Sequence, residues 1–524
     1  MPAGSASTPG ADPTAEPVWS VDPRTGERRE QVGTEAAPGA VDAAVRAAHD
    51  ARATLADRTV RSAFLRAVAD ELESARAELV AAADAETALG ETRLNGELTR
   101  TCYQLRSFAD TVDEGSFLDV IISHPDADAT PPVPDLRRYK IPLGVVAVYS
   151  ASNFPFAFSV AGGDTASAFA AGCPVVVKAH PDHPATSELT AAAVRRAAAG
   201  HQVPAGVLGL VHGFDAGVSL VRHPLVAAAG FTGSVRGGRA LFDAAAARPV
   251  PIPFHGELGS LNPVLVTGAA AAERPEEIGS GLAASMTMGV GQFCVKPGLV
   301  LVPAGEPGDG LLKALGQSLA DAGAGVMLDH RMRENFVAGV AERARLPHVE
   351  APVRPGPGPD AHTVGPGFLT VPAAELARDE GAHAPLLEEC FGPVTVVARY
   401  ADPAEAEALL ARLPGNLTAT LHVSEQEADG TDGTAAGLLA RLTALAGRVL
   451  VNAWPTGVAV APAQHHGGPY PATTSTSTSV GSTAAERWLR PVAYQNTPDA
   501  LLPPELRESN PLNLPRVVDG RREV

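Results

Sequence analysis

The chain has 524 residues, of which 45% are hydrophobic and 19% charged, and its formal net charge is −18. This length is more than one core usually holds, and the composition is that of a globular protein, so several folded domains are expected. The negative charge argues against nucleic acid or an anionic membrane as a partner, because it repels phosphate groups.

The N-terminus shows no targeting signal. Residues 1–17 have neither a basic nor an apolar region, so they are predicted to be a disordered leader and not a secretory signal. The most apolar long stretch, residues 154–177, is interrupted by two glycines and Asp164, which argues against a transmembrane span.

The few cysteines indicate a reducing compartment. They lie far apart, without a CxxC pair or a zinc-knuckle spacing, at Cys102, Cys173, Cys294 and Cys390. Free, widely spaced thiols are typical of intracellular proteins. The sequence therefore predicts a cytoplasmic protein without a metal site.

The first half of the chain has an α/β pattern. Residues 40–89 are predicted to form two amphipathic helices, with Val41, Val45 and Ala48 at helical spacing. From residue 144, the strand-like runs "GVVAVYS", "CPVVVKA", "GVLGLVHG" and "VAAAGFTGS" alternate with Ala-rich helical segments. This alternation predicts a parallel sheet with its site at the carboxyl ends of the strands.

A second α/β region begins near residue 257. Its predicted strands are "NPVLVTG", "PGLVLVP", "FGPVTVVARY" and "GRVLVNA", and residues 309–345 are predicted to be helical. The polar, low-complexity segment "PYPATTSTSTSVGS" then precedes a helix-like "AAERWLRPVAY".

Cys294 stands in the stretch "MTMGVGQFCVKPG", which has no charge before Lys296. A buried structural thiol is one explanation, because free cysteine is often fully buried. A nucleophile is the other, and it requires a partner that handles protons.

Four other segments carry chemically suitable residues after strands. "SNFP" contains Asn153, "VVVKAHP" contains Lys178, "GFTGSVRGG" contains Gly233 and Gly238, and "HGELGSLNP" contains Glu257. Each has an ordinary alternative, since strand-end lysines are usually solvated and a glutamate beside glycine is usually a turn residue. The glycine spacing is not the GxGxxG dinucleotide fingerprint either.

Taken in order, these segments, with "GQFC" and "EECFGPV", resemble the aldehyde dehydrogenase superfamily over roughly residues 20–505. "AGGDTASAFAAGCPVVVKAHPDHPATSE" and "HHGGPYPATTSTSTSVGS" resemble the branch of 2-oxoglutarate semialdehyde (2,5-dioxovalerate) dehydrogenases, with NADP-dependent fatty aldehyde dehydrogenases nearby.

The resemblance implies a role for each catalytic candidate. Cys294 matches the nucleophile that forms a thiohemiacetal and then a thioester. The amide of Asn153 and the backbone N–H of Cys294 match the oxyanion donors. Glu257 matches the base that activates water. The glycines before Cys294 are expected to let backbone and cofactor approach the sulfur.

The resemblance also implies a dinucleotide site. Lys178 matches the contact to the adenosine ribose, Gly233 and Ser234 lie against the pyrophosphate at a helix start, and Gly238 belongs to the same motif. Glu389 matches the partner of the nicotinamide ribose, with Phe391 beside it.

The cofactor is expected to be NADP by preference, with NAD also usable. NAD-specific members carry a glutamate three residues after the lysine, where this chain has Pro181. Without that carboxylate a 2′-phosphate is not repelled, and His180 and Arg236 are candidate donors to it.

Several alternatives stay open at this stage. An aliphatic, fatty aldehyde substrate is one, with Phe154, Phe156 and Phe158 either lining a tunnel or belonging to the core. Acyl transfer to coenzyme A is disfavoured by the presence of Glu257. A catalytically silent cofactor-binding protein is disfavoured by the presence of Cys294 as well. The adjacent His465 and His466 do not suit a metal enzyme.

The expected architecture has three parts: a Rossmann-like cofactor domain, an α/β catalytic domain and a small bridging element that makes a homodimer or a dimer of dimers. The corresponding residues are 18–118 with 141–256, 257–452, and 119–140 with 470–510.

Overall fold

A parallel five-stranded sheet dominates the first half of the computed structural model, which describes residues 15–378, 381–430 and 433–523. In hydrogen-bonded order its strands are Leu208–Val211, Val175–Lys178, Val145–Tyr149, Val226–Thr232 and Phe254–Glu257. All neighbouring strands run parallel, so their carboxyl ends meet at one edge. The α/β class and the first four strands are confirmed.

Helices cover both faces of this sheet. Val145 and Ala147 pack on one face, and Val146 and Val148 on the other, as the alternation of a strand requires. The helices of this half are Pro38–Ala51, Arg58–Ser74, Arg76–Thr87, Glu91–Glu114, Gly163–Ala171, Pro184–Gly200, Phe214–Arg222 and Val235–Ala246.

The prediction of two helices in residues 40–89 was wrong, because the segment holds three. Asp57 begins the second by accepting hydrogen bonds from the N–H groups of Thr59 and Val60. Val41, Val45 and Ala48 are buried as predicted.

A seven-stranded sheet forms the second half. In hydrogen-bonded order its strands are Glu350–Val353, Gly367–Pro372, Val394–Tyr400, Leu299–Pro303, Val264–Val266, Asn416–His422 and Ala446–Val451. The edge strand Glu350–Val353 pairs antiparallel with its neighbour, and all other neighbouring strands are parallel. Its helices are Gly268–Glu273, Pro275–Thr287, Glu306–Asp321, His330–Arg343, Ala373–Ala377, Pro403–Leu410, Glu425–Ala428 and Thr434–Leu445.

The predicted helix over residues 309–345 is two helices. The short strand Gly325–Val326 separates them, and the Asp329 carboxylate caps the second by accepting from the N–H of Met332. That strand pairs within a small sheet whose other strands are Thr363–Gly365 and Gly356–Pro357.

A second five-stranded sheet joins distant parts of the chain. Its order is Leu489–Gln495, Leu136–Pro142, Val120–Ser123, Arg516–Val518 and Arg521–Glu523. The helix-like segment near residue 490 is a 3₁₀ helix, Ser482–Trp488, followed by a strand. The last two strands lie beyond the 470–510 boundary of the predicted bridging element.

The remaining elements are short. A hairpin pairs Pro17–Val21 with Arg28–Thr34, so a strand begins at the last residue of the predicted leader, of which residues 1–14 lie outside the described part. The other 3₁₀ helices are Arg52–Ala56, Ser116–Leu118, Ala205–Val207, Met288–Gly291, Ala384–Leu387, Asp499–Leu501 and Pro504–Leu506. Among the described residues, none of the helices has the length and apolarity needed to cross a membrane.

Candidate active site

Cys294 lies in a loop between the 3₁₀ helix Met288–Gly291 and the strand Leu299–Pro303. The buried amide of Asn262 donates hydrogen bonds to the carbonyls of Cys294 (2.8 Å) and Lys296 (2.9 Å). Asn262 has a φ of 51°, a conformation that asparagine tolerates better than most residues. This residue therefore fixes the backbone that carries the thiol.

The glycines before Cys294 allow a backbone conformation and a close packing that other residues would not. Gly289 and Gly291 have φ angles of 54° and 66°. A side chain at Gly291 would collide with the backbone of Gly392, and one at Gly289 would collide with Arg93 and Phe293. These glycines therefore permit close packing within the protein, and the expectation that they also let the cofactor approach the sulfur stays a prediction.

Three side chains with titratable groups meet beside the loop. His466 Nε2 lies 3.6 Å from the Sγ of Cys294 and 2.9 Å from Oε1 of Glu257. Ser479 Oγ donates to the other carboxylate oxygen of Glu257 at 3.1 Å. His466 and Glu257 are buried, and Cys294 is half-buried.

Burial and charge set the protonation of this cluster. Burial alone raises the pKa of Glu257, but the charge and N–H of His466, with hydrogen bonds from Cys294 and Ser479, hold it below its ordinary value. Burial and the neighbouring carboxylates of Glu257 and Glu389 raise the pKa of Cys294 well above its ordinary value. At neutral pH the arrangement is a thiol beside a carboxylate.

Sequence reasoning missed His466 and Ser479 as site residues. The sequence marks the segment with Ser479 only as polar and low in complexity, yet Thr473 forms a β-bridge with Glu257 and Ser479 donates to its carboxylate. The usable signal was the run of small hydroxyl residues itself, since buried carboxylates require donors.

Asn153 is buried and is hydrogen-bonded to the cysteine loop. It follows the strand Val145–Tyr149, and its Nδ2 donates to the carbonyl of Gln292 at 2.9 Å. Arg93 Nη2 donates to the Asn153 carbonyl at 2.6 Å. The amide therefore uses one of its two N–H groups to bind Gln292, which lies two residues before Cys294 in the sequence.

Lys178 ends a strand at the carboxyl edge of the parallel five-stranded sheet. It is 8% exposed, burial lowers its pKa to about 8, and its Nζ lies 4.7 Å from the centroid of the exposed Phe214 ring. The structure thus places an ammonium group beside an apolar surface on the neighbouring helix.

His180, expected as a candidate donor to a 2′-phosphate, is a neutral imidazole in the structure. Burial and the neighbouring His183 hold its pKa well below the ordinary value, and its Nδ1 accepts from the N–H of Asp182 at 3.2 Å. It therefore offers a neutral N–H. The buried carboxyl of Asp182 has a pKa raised well above the ordinary value by burial and Asp329, and Arg331 lies 3.9 Å away.

The "GFTGSVRGG" segment forms a helix start. Ser234 is exposed and caps the helix Val235–Ala246 by accepting from the N–H of Gly237 at 3.2 Å. Gly233 is exposed before it, and Arg236 is exposed on the first turn. Gly238 is buried, and a side chain there would collide with Leu258, so this glycine permits close packing.

Glu389 lies near the cysteine loop, with the half-buried Phe391 two residues later. Burial raises the pKa of Glu389 to about 7, although Lys296 opposes the shift. The ammonium of Lys296 is buried and donates to the carbonyls of Cys390 and Val394. This links the Cys294 loop to the segment that carries Glu389.

Glu257, Cys294 and His466 each offer one ligand atom, all within 4.8 Å of one another. Such a trio has the donor types of a transition-metal site. The expectation that the chain binds no metal stays a prediction.

Comparison with known proteins shows the family to which the chain belongs. The chain matches the model of the aldehyde dehydrogenase family over residues 11–470. It is 48% identical over 471 residues to "Alpha-ketoglutaric semialdehyde dehydrogenase 2" of Azospirillum brasilense, covering 88% of this chain and 87% of that protein.

A second relative and a solved structure agree with this. "Alpha-ketoglutaric semialdehyde dehydrogenase" of Acinetobacter baylyi is 41% identical over 484 residues, covering 92% and 91% of the two chains. The crystal structure of aldehyde dehydrogenase 21 from Physcomitrella patens matches with a TM-score of 0.76 at 18% identity, covering 93% and 96%, and so supports the fold. The chain therefore belongs to the aldehyde dehydrogenase family and is an NAD(P)-dependent aldehyde oxidoreductase.

Proposed function

We propose that this enzyme oxidises 2-oxoglutarate semialdehyde to 2-oxoglutarate, with NADP as the preferred cofactor and NAD as a usable one. The observation that carries the substrate is the similarity, over about nine-tenths of the chain, to two relatives named for this semialdehyde. The cluster of Cys294, Glu257 and His466 supports the chemistry.

The reaction begins at the sulfur of Cys294. Glu257 is ionised and accepts the thiol proton, while the N–H of His466 donates toward the sulfur from 3.6 Å. A new C–S bond forms at the aldehyde carbon. The free N–H of the Asn153 amide and the backbone N–H of Cys294 donate to the oxygen of the resulting thiohemiacetal.

Oxidation and hydrolysis complete the cycle. Bound NAD(P) supplies the hydride acceptor that the oxidation requires. When the former aldehyde carbon loses its hydrogen as a hydride, a thioester is left on Cys294. The carbonyl oxygen of this thioester stays hydrogen-bonded to the Asn153 amide. Glu257, held by His466 and Ser479, first releases the thiol proton to solvent. It then removes a proton from water, whose oxygen bonds to the thioester carbon while the C–S bond breaks, so the acid is released and the thiolate takes the proton back from Glu257.

The residues at the carboxyl edge of the five-stranded sheet fit a dinucleotide. Phe214 and Val235 are 60% and 39% exposed on two neighbouring helices, where they provide apolar surface for a base. Lys178 would bind the adenosine ribose, and Gly233 and Ser234 would lie against the pyrophosphate at a helix start. Glu389 would accept from the nicotinamide ribose beside Phe391.

Three features support acceptance of a 2′-phosphate. Pro181 stands where NAD-specific members carry a carboxylate. The raised pKa of Asp182 reduces the negative charge of this carboxyl, which acts on Lys178. Arg236 is exposed at the helix start, and Arg331 lies between Asp182 and Phe214, so guanidinium groups are available to phosphate.

The assembly is proposed to be a homodimer or a dimer of dimers in the cytoplasm. The mostly exposed strand Leu489–Gln495 forms one edge of the second five-stranded sheet, and its unpaired backbone groups suit pairing with a second copy. The widely spaced free thiols support a reducing compartment.

One observation favours a second candidate substrate, an aliphatic aldehyde. Phe156 is buried in the core, whereas Phe154 and Phe158 are half-buried, with ring centroids 5.4 Å apart, and the Phe158 ring lies 6.1 Å from that of His466. These two rings offer an apolar wall close to the thiol.

Initial rates distinguish the two substrates. NADPH formation is measured with 2-oxoglutarate semialdehyde and with pentanal, a five-carbon aldehyde without a carboxylate, and the Cys294→Ala variant is the blank. We expect kcat/KM to favour the semialdehyde by about a hundredfold, which corresponds to about 2.7 kcal/mol. Equal values, or a preference for pentanal, would overturn the substrate assignment.

A further inference from the structure

The guanidinium of Arg100 lies near the site with an unused donor. Arg100 belongs to the helix Glu91–Glu114, and its Nε donates to the carbonyl of Val458 at 3.4 Å. Its Nη1 is buried and has no hydrogen-bond partner among the residues that the structure describes. A buried donor without a partner is costly, so a ligand that accepts from it would be stabilised.

This donor is one aromatic ring away from the catalytic cluster. The Cζ of Arg100 lies 5.4 Å from the centroid of the Phe158 ring, which in turn packs against His466. Arg100 interacts electrostatically with both Cys294 and Glu257. The positive charge therefore acts on the space in front of the thiol.

The nearby carboxylate of Glu97 does not occupy this donor. Its Oε1 accepts from the N–H groups of Phe156 (2.8 Å) and Ala157 (2.9 Å). Within the described part of the chain, no ion pair joins Glu97 to Arg100. The guanidinium is left with a positive charge and an open N–H, since arginine stays protonated in proteins.

A second arginine binds the segment that Arg100 contacts through Val458. Arg448, on the strand Ala446–Val451, donates through its Nη atoms to the carbonyls of Gly457 and Pro455. Its Nε is buried without a partner among the described residues, and its charge also acts on Cys294. Two guanidinium groups thus hold residues 455–458 beside the thiol.

We propose that Arg100, assisted by the charge of Arg448, binds the carboxylate at the far end of the semialdehyde while the aldehyde carbon lies at Cys294. The inference rests on the proposed function, which requires a short substrate with an anionic end. A guanidinium suits it because hydrogen bonds between ionised groups are stronger than neutral ones. The rings of Phe154 and Phe158 would then flank the short carbon chain.

The test compares Arg100→Gln with Arg106→Gln. Arg106 lies on the same helix, and its Nη2 pairs with Asp70 on the exposed side, so it controls for general effects on the helix. The readout is the ratio of kcat/KM for 2-oxoglutarate semialdehyde to that for pentanal. We expect Arg100→Gln to lower the ratio by about a hundredfold, mainly through KM, and Arg106→Gln to leave it within about threefold of wild type.

Two further comparisons separate the possible failures. Arg100→Lys keeps the charge without the planar fork, so it should recover part of the ratio. A wild-type ratio near one would refute the proposed substrate. A high wild-type ratio that Arg100→Gln leaves unchanged would refute the clamp and leave the substrate standing. Turnover of pentanal by each variant shows that the protein is folded.

Discussion

Replacing His466 with phenylalanine removes the one N–H that points at both Cys294 and Glu257. The ring keeps its approximate size next to Phe158, so the perturbation is mainly the loss of that donor. In the resting enzyme the contact to Sγ is long, at 3.6 Å, but it becomes a charge-assisted hydrogen bond once the thiolate forms. Such bonds contribute about 1.5 to 3 kcal/mol.

The loss of this hydrogen bond should lower the reactivity of Cys294. Since about 1.4 kcal/mol corresponds to a factor of ten, His466→Phe should slow alkylation of Cys294 by iodoacetamide about 10- to 150-fold at neutral pH. The pre-steady-state burst of NADPH should slow by a similar factor. Peptide mapping assigns the alkylation to Cys294 and separates it from the half-buried Cys390.

The adjacent histidine provides the control. His465→Phe changes the same residue type one position away, where no contact to Cys294 is present among the described residues. His466→Gln keeps one N–H and should recover part of the rate. If His466→Phe alkylates and turns over within about twofold of His465→Phe, the assigned role of the imidazole is incorrect.

Three other predictions follow from the same geometry. Asn262→Ala should destabilise the protein by about 3 to 6 kcal/mol, because two buried carbonyls lose their donor and the positive φ becomes strained. Asn262→Gly should relieve only the strain. Equal melting temperatures for the wild type and the alanine variant would contradict this prediction. Pro181→Glu should shift the ratio of kcat/KM for NADP to that for NAD at least about tenfold toward NAD, as steady-state rates would show. The KM for NADP should fall as pH rises through about 7, because the carboxylate of Glu389 forms over that range. Glu389→Gln should abolish this pH dependence, whereas Glu388→Gln, at an exposed residue, should retain it. A wild-type KM that does not change with pH would refute the prediction.

The predictable part of the fold was its buried parallel strands. "VVAVY" and "VVVK" are buried at every residue, so they read as continuous apolar runs. The strand Asn416–His422 was missed because it buries polar residues, including Thr418 and Thr420, whose environment is set by distant contacts. Helix boundaries were wrong where a cap such as Asp57 divides one apolar pattern in two.

The candidate site was predictable where chemistry lies in short motifs. Cys294 and Glu257 stand in recognisable segments, and the structure brings both to His466. His466 itself lies 172 and 209 residues from these partners along the chain, so local patterns do not connect them. Arg100 was equally hidden, because nothing in its helix distinguishes it from Arg106 until Phe158 and Val458 pack against it.

The central claim is that the semialdehyde becomes a thioester on Cys294 that Glu257 hydrolyses. Intact-protein and peptide mass spectrometry of Glu257→Gln, mixed with 2-oxoglutarate semialdehyde and NADP, tests it most directly. We expect one equivalent of NADPH per site, formed more slowly than in the wild type because Glu257 also accepts the thiol proton. The Cys294 peptide should carry a thioester whose added mass is that of 2-oxoglutaric acid less one water. Full turnover without an adduct, or an adduct on another cysteine, would contradict it.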